Sequence, residues 1–115
     1  MPTLAQIENL AAERGITPQG FRTPTDTKDH QAWGEQHVIQ VGLCQAFLRI
    51  DPSADLPPGI WSRRDSAELA KAAEAFHSQQ VTSGSFIMGA ILEGMGIQPH
   101  GTHARFMRPP ARTPR

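Results

Sequence analysis

The sequence predicts a mainly α fold: a small four-helix domain with a short C-terminal β-hairpin and a tail rich in proline and arginine. Three observations predict it. Four segments carry apolar residues at helical spacing, glycines or prolines end these segments, and residues 103–107 alternate as in a strand. The 115 residues have the length of one domain. We expect a single helical domain over residues 1–107 and a basic tail over residues 108–115.

The first helix is expected over residues 4–14. Thr3 and Gln6 have the spacing of a capping box, in which two side chains bind the first backbone amides of a helix. Gly15 suits the left-handed position that commonly follows a helix. A connection rich in turn-forming residues comes next.

The second helix is expected over residues 28–49, with Asp26 or Thr27 as its cap. Its second half is apolar on most sides, which is typical of the central helix of a small bundle. Gly34 and Gly42 would lie inside it, at a cost of about 1 kcal/mol each relative to alanine. Close approach of a neighbouring helix explains such glycines, and so does a kink.

The third and fourth helices are separated by a short turn. The third is expected to begin at Ser62 or Ser66. The fourth is expected over residues 84–93, capped by Thr82 or Ser83, and it has almost no polar face. A helix this apolar is either buried on all sides or part of an interface.

A β-hairpin is expected after the fourth helix. Residues 97–98 and 103–107 can pair across the turn between them, with Arg105 and Met107 on one face of the second strand. The expected core draws on the four helices and this strand: Leu4, Ile7, Trp33, Val41, Cys44, Phe47, Leu48, Leu69, Phe76, Phe86, Ile87, Ala90, Ile91 and Phe106.

Charge is distributed unevenly along the chain, although the net charge is zero. Residues 1–93 carry seven basic and eleven acidic side chains, whereas residues 94–115 carry four arginines and no acid. Arginines outnumber lysines nine to two. Arginine suits bidentate contacts with carboxylates or phosphates, although genomic base composition can produce the same bias.

Two features predict binding to another protein. Helix 84–93 is more apolar than a small domain needs, so we expect it to self-associate or to contact a partner, with Met88 and Met95 in the contact. The basic, proline-rich end suits folding onto a partner surface. The contact residues expected there are Arg105, Arg108, Arg112 and Arg115.

Nucleic-acid binding is the alternative. Its expected residues are Arg63, Arg64, Arg105 and Arg108, which would contact phosphates. The third and fourth helices are spaced roughly like a helix-turn-helix, but the fourth carries apolar side chains where a recognition helix needs polar and basic ones. The tail has no aromatic residues between its arginines for stacking on bases.

No motif predicts an enzyme, a metal site or a cofactor. Cys44 is the single cysteine, so an internal disulfide is excluded, and its apolar surroundings predict a buried side chain. His100 and His103 have a spacing that two metal ligands can share, but a metal site needs at least three. If the chain were an enzyme, the candidate residues would be these two histidines, His77 and Glu93.

The expected function is that of a small non-enzymatic protein–protein interaction module, such as an adaptor, an inhibitor or an assembly subunit. Chains of this size are typical of phages and other bacterial mobile elements. The alternative is a nucleic-acid-binding accessory protein. No segment has the length of a membrane span or the composition of a signal peptide, so we expect no membrane partner and a cytoplasmic location.

Overall fold

The computed structural model describes residues 2–21, 32–50 and 59–108. Within these residues it contains four helices and two antiparallel hairpins. Their order is α1 (Leu4–Arg14), β1 (Ile16–Thr17), β2 (Gly20–Phe21), α2 (Glu35–Ile50), α3 (Ser66–His77), α4 (Ser83–Leu92), β3 (Gly96–His100) and β4 (His103–Met107). The predicted mainly α class is confirmed. Residues 109–115 of the predicted tail lie outside the described residues.

Helix α1 has the predicted ends. The Gln6 amide donates to Thr3 Oγ1 at 3.2 Å, and the Thr3 amide donates to Gln6 Oε1 at 2.9 Å. Gly15 closes the helix with a left-handed φ of 67°. The turn-rich connection that follows forms the small β1–β2 hairpin, which the sequence did not predict.

Helix α2 begins later than predicted. Residues 32–34 are not helical, so the prediction that the helix includes them is wrong, whereas residues 35–49 are helical as predicted. Its predicted caps lie outside the described residues. The Gly34 carbonyl accepts the first helical hydrogen bond, from the His37 amide at 2.9 Å. The Gly34 amide donates to His37 Nδ1 at 2.9 Å, and Trp33 Nε1 donates to the Ile16 carbonyl at 3.2 Å. These contacts fix the start of α2 at Glu35.

Helix α3 begins after Asp65, whose Oδ1 accepts a hydrogen bond from the Glu68 amide at 3.0 Å. Asp65 is therefore the N-cap. Of the two predicted starts Ser66 is confirmed, and Ser62 is wrong because its side chain binds the Phe106 amide of β4.

Helix α4 is the centre of the domain. All residues from Gly84 to Ala90 are buried, and the helix packs against α2, α3 and both hairpins. Its glycines allow the close approach: a Cβ at Gly89 would lie 2.8 Å from Cys44 Cβ, and one at Gly84 would lie 1.9 Å from the Thr17 carbonyl oxygen. The apolar side chains of α4 up to Ala90 are therefore used inside the chain, whereas Leu92 is 38% exposed, and self-association through residues 84–93 stays a prediction.

The predicted core is confirmed with one clear exception. Phe76 is 49% exposed, and one side of its ring meets Phe47 at a centroid distance of 5.7 Å. Three other members are partly buried against the core, namely Leu4, Trp33 and Ile91. No helix of the described residues is long and apolar enough to cross a bilayer.

The C-terminal hairpin pairs Gly96 with Met107 at one end and His100 with His103 at the other. Ala104 and Phe106 point inward and are fully buried, whereas Arg105 is exposed. The predicted alternation along the second strand is thus confirmed.

Candidate functional site

The edge of β4 that faces away from β3 is covered by residues 59–62. Trp61 forms an antiparallel bridge with Met107. The Ser62 amide donates to the Phe106 carbonyl at 2.7 Å, and the Gly59 amide donates to the Arg108 carbonyl at 2.8 Å. Residues 59–62 therefore act as a short third strand. We call this segment, β4 and β3 the three-stranded sheet.

Serine hydroxyls bind the remaining amides on this edge of β4. The Phe106 amide donates to Ser62 Oγ at 3.0 Å, and the Ala104 amide donates to Ser66 Oγ at 3.1 Å. Both serines are buried, at 3% and 0% exposure. Since an unpaired buried amide is costly, these hydroxyls hold the sheet against α3 and keep residues 59–62 in place.

One face of the three-stranded sheet is turned outward. Residues that pair across strands share a face, so Trp61, Met107 and Gly96 lie side by side, followed two residues further on by Arg105 and Gln98. A Cβ at Gly96 would lie 3.4 Å from Cη2 of Trp61. Because Gly96 has no side chain, the indole of Trp61 lies close to the backbone of β3. Trp61 stays 38% exposed. We call these five residues the outer face.

Four of the predicted arginines lie on this face or next to it in the sequence. Arg63 and Arg64 come directly after residues 59–62, in the bend before α3, whereas Arg105 lies on β4 two residues from Met107 and Arg108 follows β4. We call Arg63, Arg64, Arg105 and Arg108 the arginine strip. Arg112 and Arg115 lie outside the described residues.

The two segments that carry the arginine strip are basic in sequence. Residues 59–64 and 94–108 contain no aspartate or glutamate. Asp65, which follows Arg64, caps α3. Glu93 accepts hydrogen bonds from Arg49 Nη2 at 2.8 Å and from Gln45 Nε2 at 3.1 Å. These two segments therefore carry an excess of basic residues on a chain whose net charge is zero.

The two methionines predicted to contact a partner do not lie at the surface. Met88 is fully buried, and Met95 is 8% exposed. Their prediction as partner-binding residues is wrong, because α4 and the residues after it use their apolar side chains to fill the core.

A chain of hydrogen bonds joins α3, α4 and β4. Ser83 Oγ lies 2.7 Å from Ser66 Oγ and 2.9 Å from His103 Nδ1. Because the Ala104 amide donates to Ser66 Oγ, the Ser66 hydroxyl can donate to Ser83 and the Ser83 hydroxyl to His103. A serine that donates to a histidine is the pair used in nucleophilic catalysis.

The surroundings of Ser83 do not complete a catalytic site. Acyl transfer also needs backbone amides that can bind a developing oxyanion. In the first turn of α4 the Gly84 amide donates to the Pro18 carbonyl at 3.0 Å, and the Ser85 amide donates to Thr82 Oγ1 at 3.2 Å. Both amides are used, so the hydrogen-bond chain is best explained as a clamp that fixes β4 on the two helices.

The other residues considered for chemistry lie apart from one another. His77 Nε2 lies 2.9 Å from the Leu43 carbonyl oxygen, and Glu93 is held at the end of α4 beside an open groove of about 430 Å³. Cys44 is buried, and this burial raises the pKa of its thiol well above the ordinary value. In the part of the chain that the structure describes, no three His, Cys, Asp or Glu side chains could hold a metal ion.

No protein-family model matches this sequence, and comparisons with curated proteins and with solved structures find no match either.

Trp61 is the site residue that the sequence did not reveal. Its nearest signal is its place just before Arg63 and Arg64, but the sequence does not show that this segment pairs with β4, more than 40 residues later.

Proposed function

We propose that this chain is a nucleic-acid-binding accessory protein whose arginine strip contacts the phosphate backbone. The bridge between Trp61 and Met107 carries the proposal, because it places the segment that Arg63 and Arg64 follow along the strand that carries Arg105. Guanidinium groups bind phosphate oxygens in a bidentate manner, and such contacts supply most of the affinity of sequence-independent binding.

The outer face adds a feature that the sequence alone lacked. The predicted objection to nucleic-acid binding was the absence of an aromatic residue among the arginines of the tail. Trp61 supplies an exposed aromatic ring beside Arg63 and Arg105. Aromatic rings next to basic side chains are typical of surfaces that bind nucleic acids without strong sequence preference.

A protein-interaction module is the second candidate, with a different surface from the one predicted. Ile39 and Phe76 are 53% and 49% exposed. They lie on α2 and α3, two helices that pack against each other. Large exposed apolar residues favour a protein contact. An adaptor, an inhibitor or an assembly subunit would bind here.

A salt series tests the nucleic-acid proposal. Binding of a labelled oligonucleotide is measured by fluorescence anisotropy at salt concentrations from about 50 to 200 mM. Four arginine–phosphate contacts on a single strand give a slope of log K against log salt of about −2.8, which weakens binding roughly 50-fold over this range. The affinity of a neutral contact would change little.

Charge variants locate the contacts. Arg63→Gln and Arg105→Gln should each weaken binding and reduce the magnitude of the slope by about 0.7. Arg14→Gln is the matched control, because Arg14 is exposed at the end of α1 and outside the arginine strip. An absence of binding at the lowest salt, or an unchanged affinity of the double variant, would overturn the proposal.

The second candidate has its own test. Ile39→Glu and Phe76→Glu place a charge on the exposed apolar surface without touching the arginine strip. Affinity purification from the native host, followed by mass measurement, should recover a partner with the unchanged chain and lose it with these variants. Recovery of the same partner with both variants would exclude this surface.

A further inference from the structure

We infer that the nucleic acid bound by this chain is single-stranded and that one of its bases stacks on Trp61. This inference rests on the proposed function and adds the strand state and the contact that selects it. The arginine strip alone would bind the phosphates of single and double strands alike. A stacking contact distinguishes them, because it needs the open face of an unpaired base.

The position of Trp61 suits a stacking platform. Its indole lies over the sheet beside Met107 and against Gly96, where a Cβ would come within 3.4 Å of the ring. Met107 Cε also lies 3.5 Å from that Cβ position, so the Trp61 and Met107 side chains both border Gly96. The indole nevertheless stays 38% exposed, although it is a large apolar group. A packed but partly exposed ring offers a surface to a planar ligand.

The arginines lie at a suitable distance from this ring. Arg105 is two residues along β4 from Met107, which is about 7 Å in an extended backbone, and Arg63 is two residues after Trp61 in the sequence. An arginine side chain spans such a distance, so a base on Trp61 and the phosphates next to it can be held together. Binding of single strands by an aromatic platform in a basic groove follows the same arrangement.

The helix that a helix-turn-helix protein would place in the major groove is not available in this chain. A protein reads duplex DNA by placing a polar helix or a ribbon in the major groove. The helix that follows the turn after α3 is α4, and its residues from Gly84 to Ala90 are buried. In a duplex the base faces are covered by their neighbours, and extruding one costs binding energy. The outer face therefore fits an unpaired strand better.

Three ligands of equal backbone chemistry test the inference: an oligothymidine of about 12 nucleotides, a base-free strand of the same length and a duplex of the same length. The oligothymidine should bind about 5- to 150-fold more tightly than the base-free strand, the range expected for one stacked base. Trp61→Ala should lower the oligothymidine affinity to that of the base-free strand. Trp61→Phe should keep part of the difference.

Fluorescence gives a second readout. The chain has two tryptophans, so Trp33→Phe leaves Trp61 as the reporter. The oligothymidine should quench this fluorescence, and the base-free strand should not. Far-UV circular dichroism and thermal unfolding of each variant confirm that it is folded. The base-free strand measures the arginine strip in every variant, so a loss of folding is distinguished from a loss of stacking.

The outcomes distinguish a failure of base stacking from a failure of nucleic-acid binding itself. Equal affinity for the base-containing and base-free strands, with the salt dependence retained, would overturn stacking and leave phosphate binding intact. Tighter binding of the duplex would overturn the single-strand inference. Competition by polyglutamate as strong as that by the oligothymidine would indicate an acidic protein ligand instead. If none of the three nucleic-acid ligands binds at low salt, the proposed function itself fails.

Discussion

Replacing Ser62 or Ser66 by alanine removes a hydroxyl that binds a buried amide on the edge of β4. Ser62 Oγ accepts from the Phe106 amide at 3.0 Å, and Ser66 Oγ accepts from the Ala104 amide at 3.1 Å. A methyl group accepts no hydrogen bond, so each variant leaves one buried N–H without a partner. Such a loss costs about 1–3 kcal/mol of unfolding free energy. In Ser66→Ala the contact with Ser83 is lost as well.

Urea unfolding followed by far-UV circular dichroism measures this cost. In a thermal scan each kcal/mol corresponds to roughly 4–8 °C for a domain of about this size. Gln79→Ala is the control, because Gln79 is exposed and lies outside the helices and strands, so its replacement should stay within about 0.5 kcal/mol. If Ser62→Ala and Ser66→Ala also stay within that limit, the serine hydroxyls do not hold the edge of the sheet.

Three further predictions concern the core. Gly84→Ala should cost about 1–3 kcal/mol or more in urea unfolding, because the new Cβ would lie 1.9 Å from the Thr17 carbonyl oxygen; an unchanged stability would show that α4 does not approach β1 so closely. Ile87→Ala should cost about 2–5 kcal/mol and Ile91→Ala less, because Ile87 is fully buried and Ile91 partly exposed; equal losses would contradict this burial. Burial lowers the pKa of His37 in the folded chain, so the unfolded chain binds a proton at a higher pH than the folded chain does. The unfolding free energy should therefore fall as the pH drops below 6.5, by at most about 1.4 kcal/mol per pH unit. This contribution is fully present above pH 6.5 and should be absent in His37→Gln, as unfolding free energies measured across this pH range would show.

The features that the sequence predicted well are local ones. Thr3, Gln6 and Gly15 define both ends of α1 through contacts over three or four residues, so spacing alone reveals them. The start of α2 depends on distant contacts instead. Trp33 is anchored by the Ile16 carbonyl, 17 residues earlier in the chain, and this fixes where the helix can begin.

The candidate site depends even more on contacts between residues that are far apart in the sequence. Arg63 and Arg105 were both recognised as candidates, but nothing in the sequence shows that the segment before Arg63 runs along β4. This arrangement depends on the hydrogen bond between Phe106 and Ser62, which are 44 residues apart. A segment of four residues is too short for alternation to predict a strand. The place of Trp61 on the outer face therefore emerged from the structure.

Residues 59–62 both close the exposed edge of β4 and carry Trp61 on the outer face. An uncovered edge is a template for pairing with another strand, so covering it stabilises the sheet and keeps it from associating. Because one segment has both roles, Ser62→Ala should lower the unfolding free energy and the affinity for oligothymidine together. Arg105 is exposed, so Arg105→Gln should lower the affinity alone and leave stability within about 0.5 kcal/mol. A Ser62→Ala chain that is less stable yet binds oligothymidine as tightly as the unchanged chain would show that the outer face does not depend on this edge.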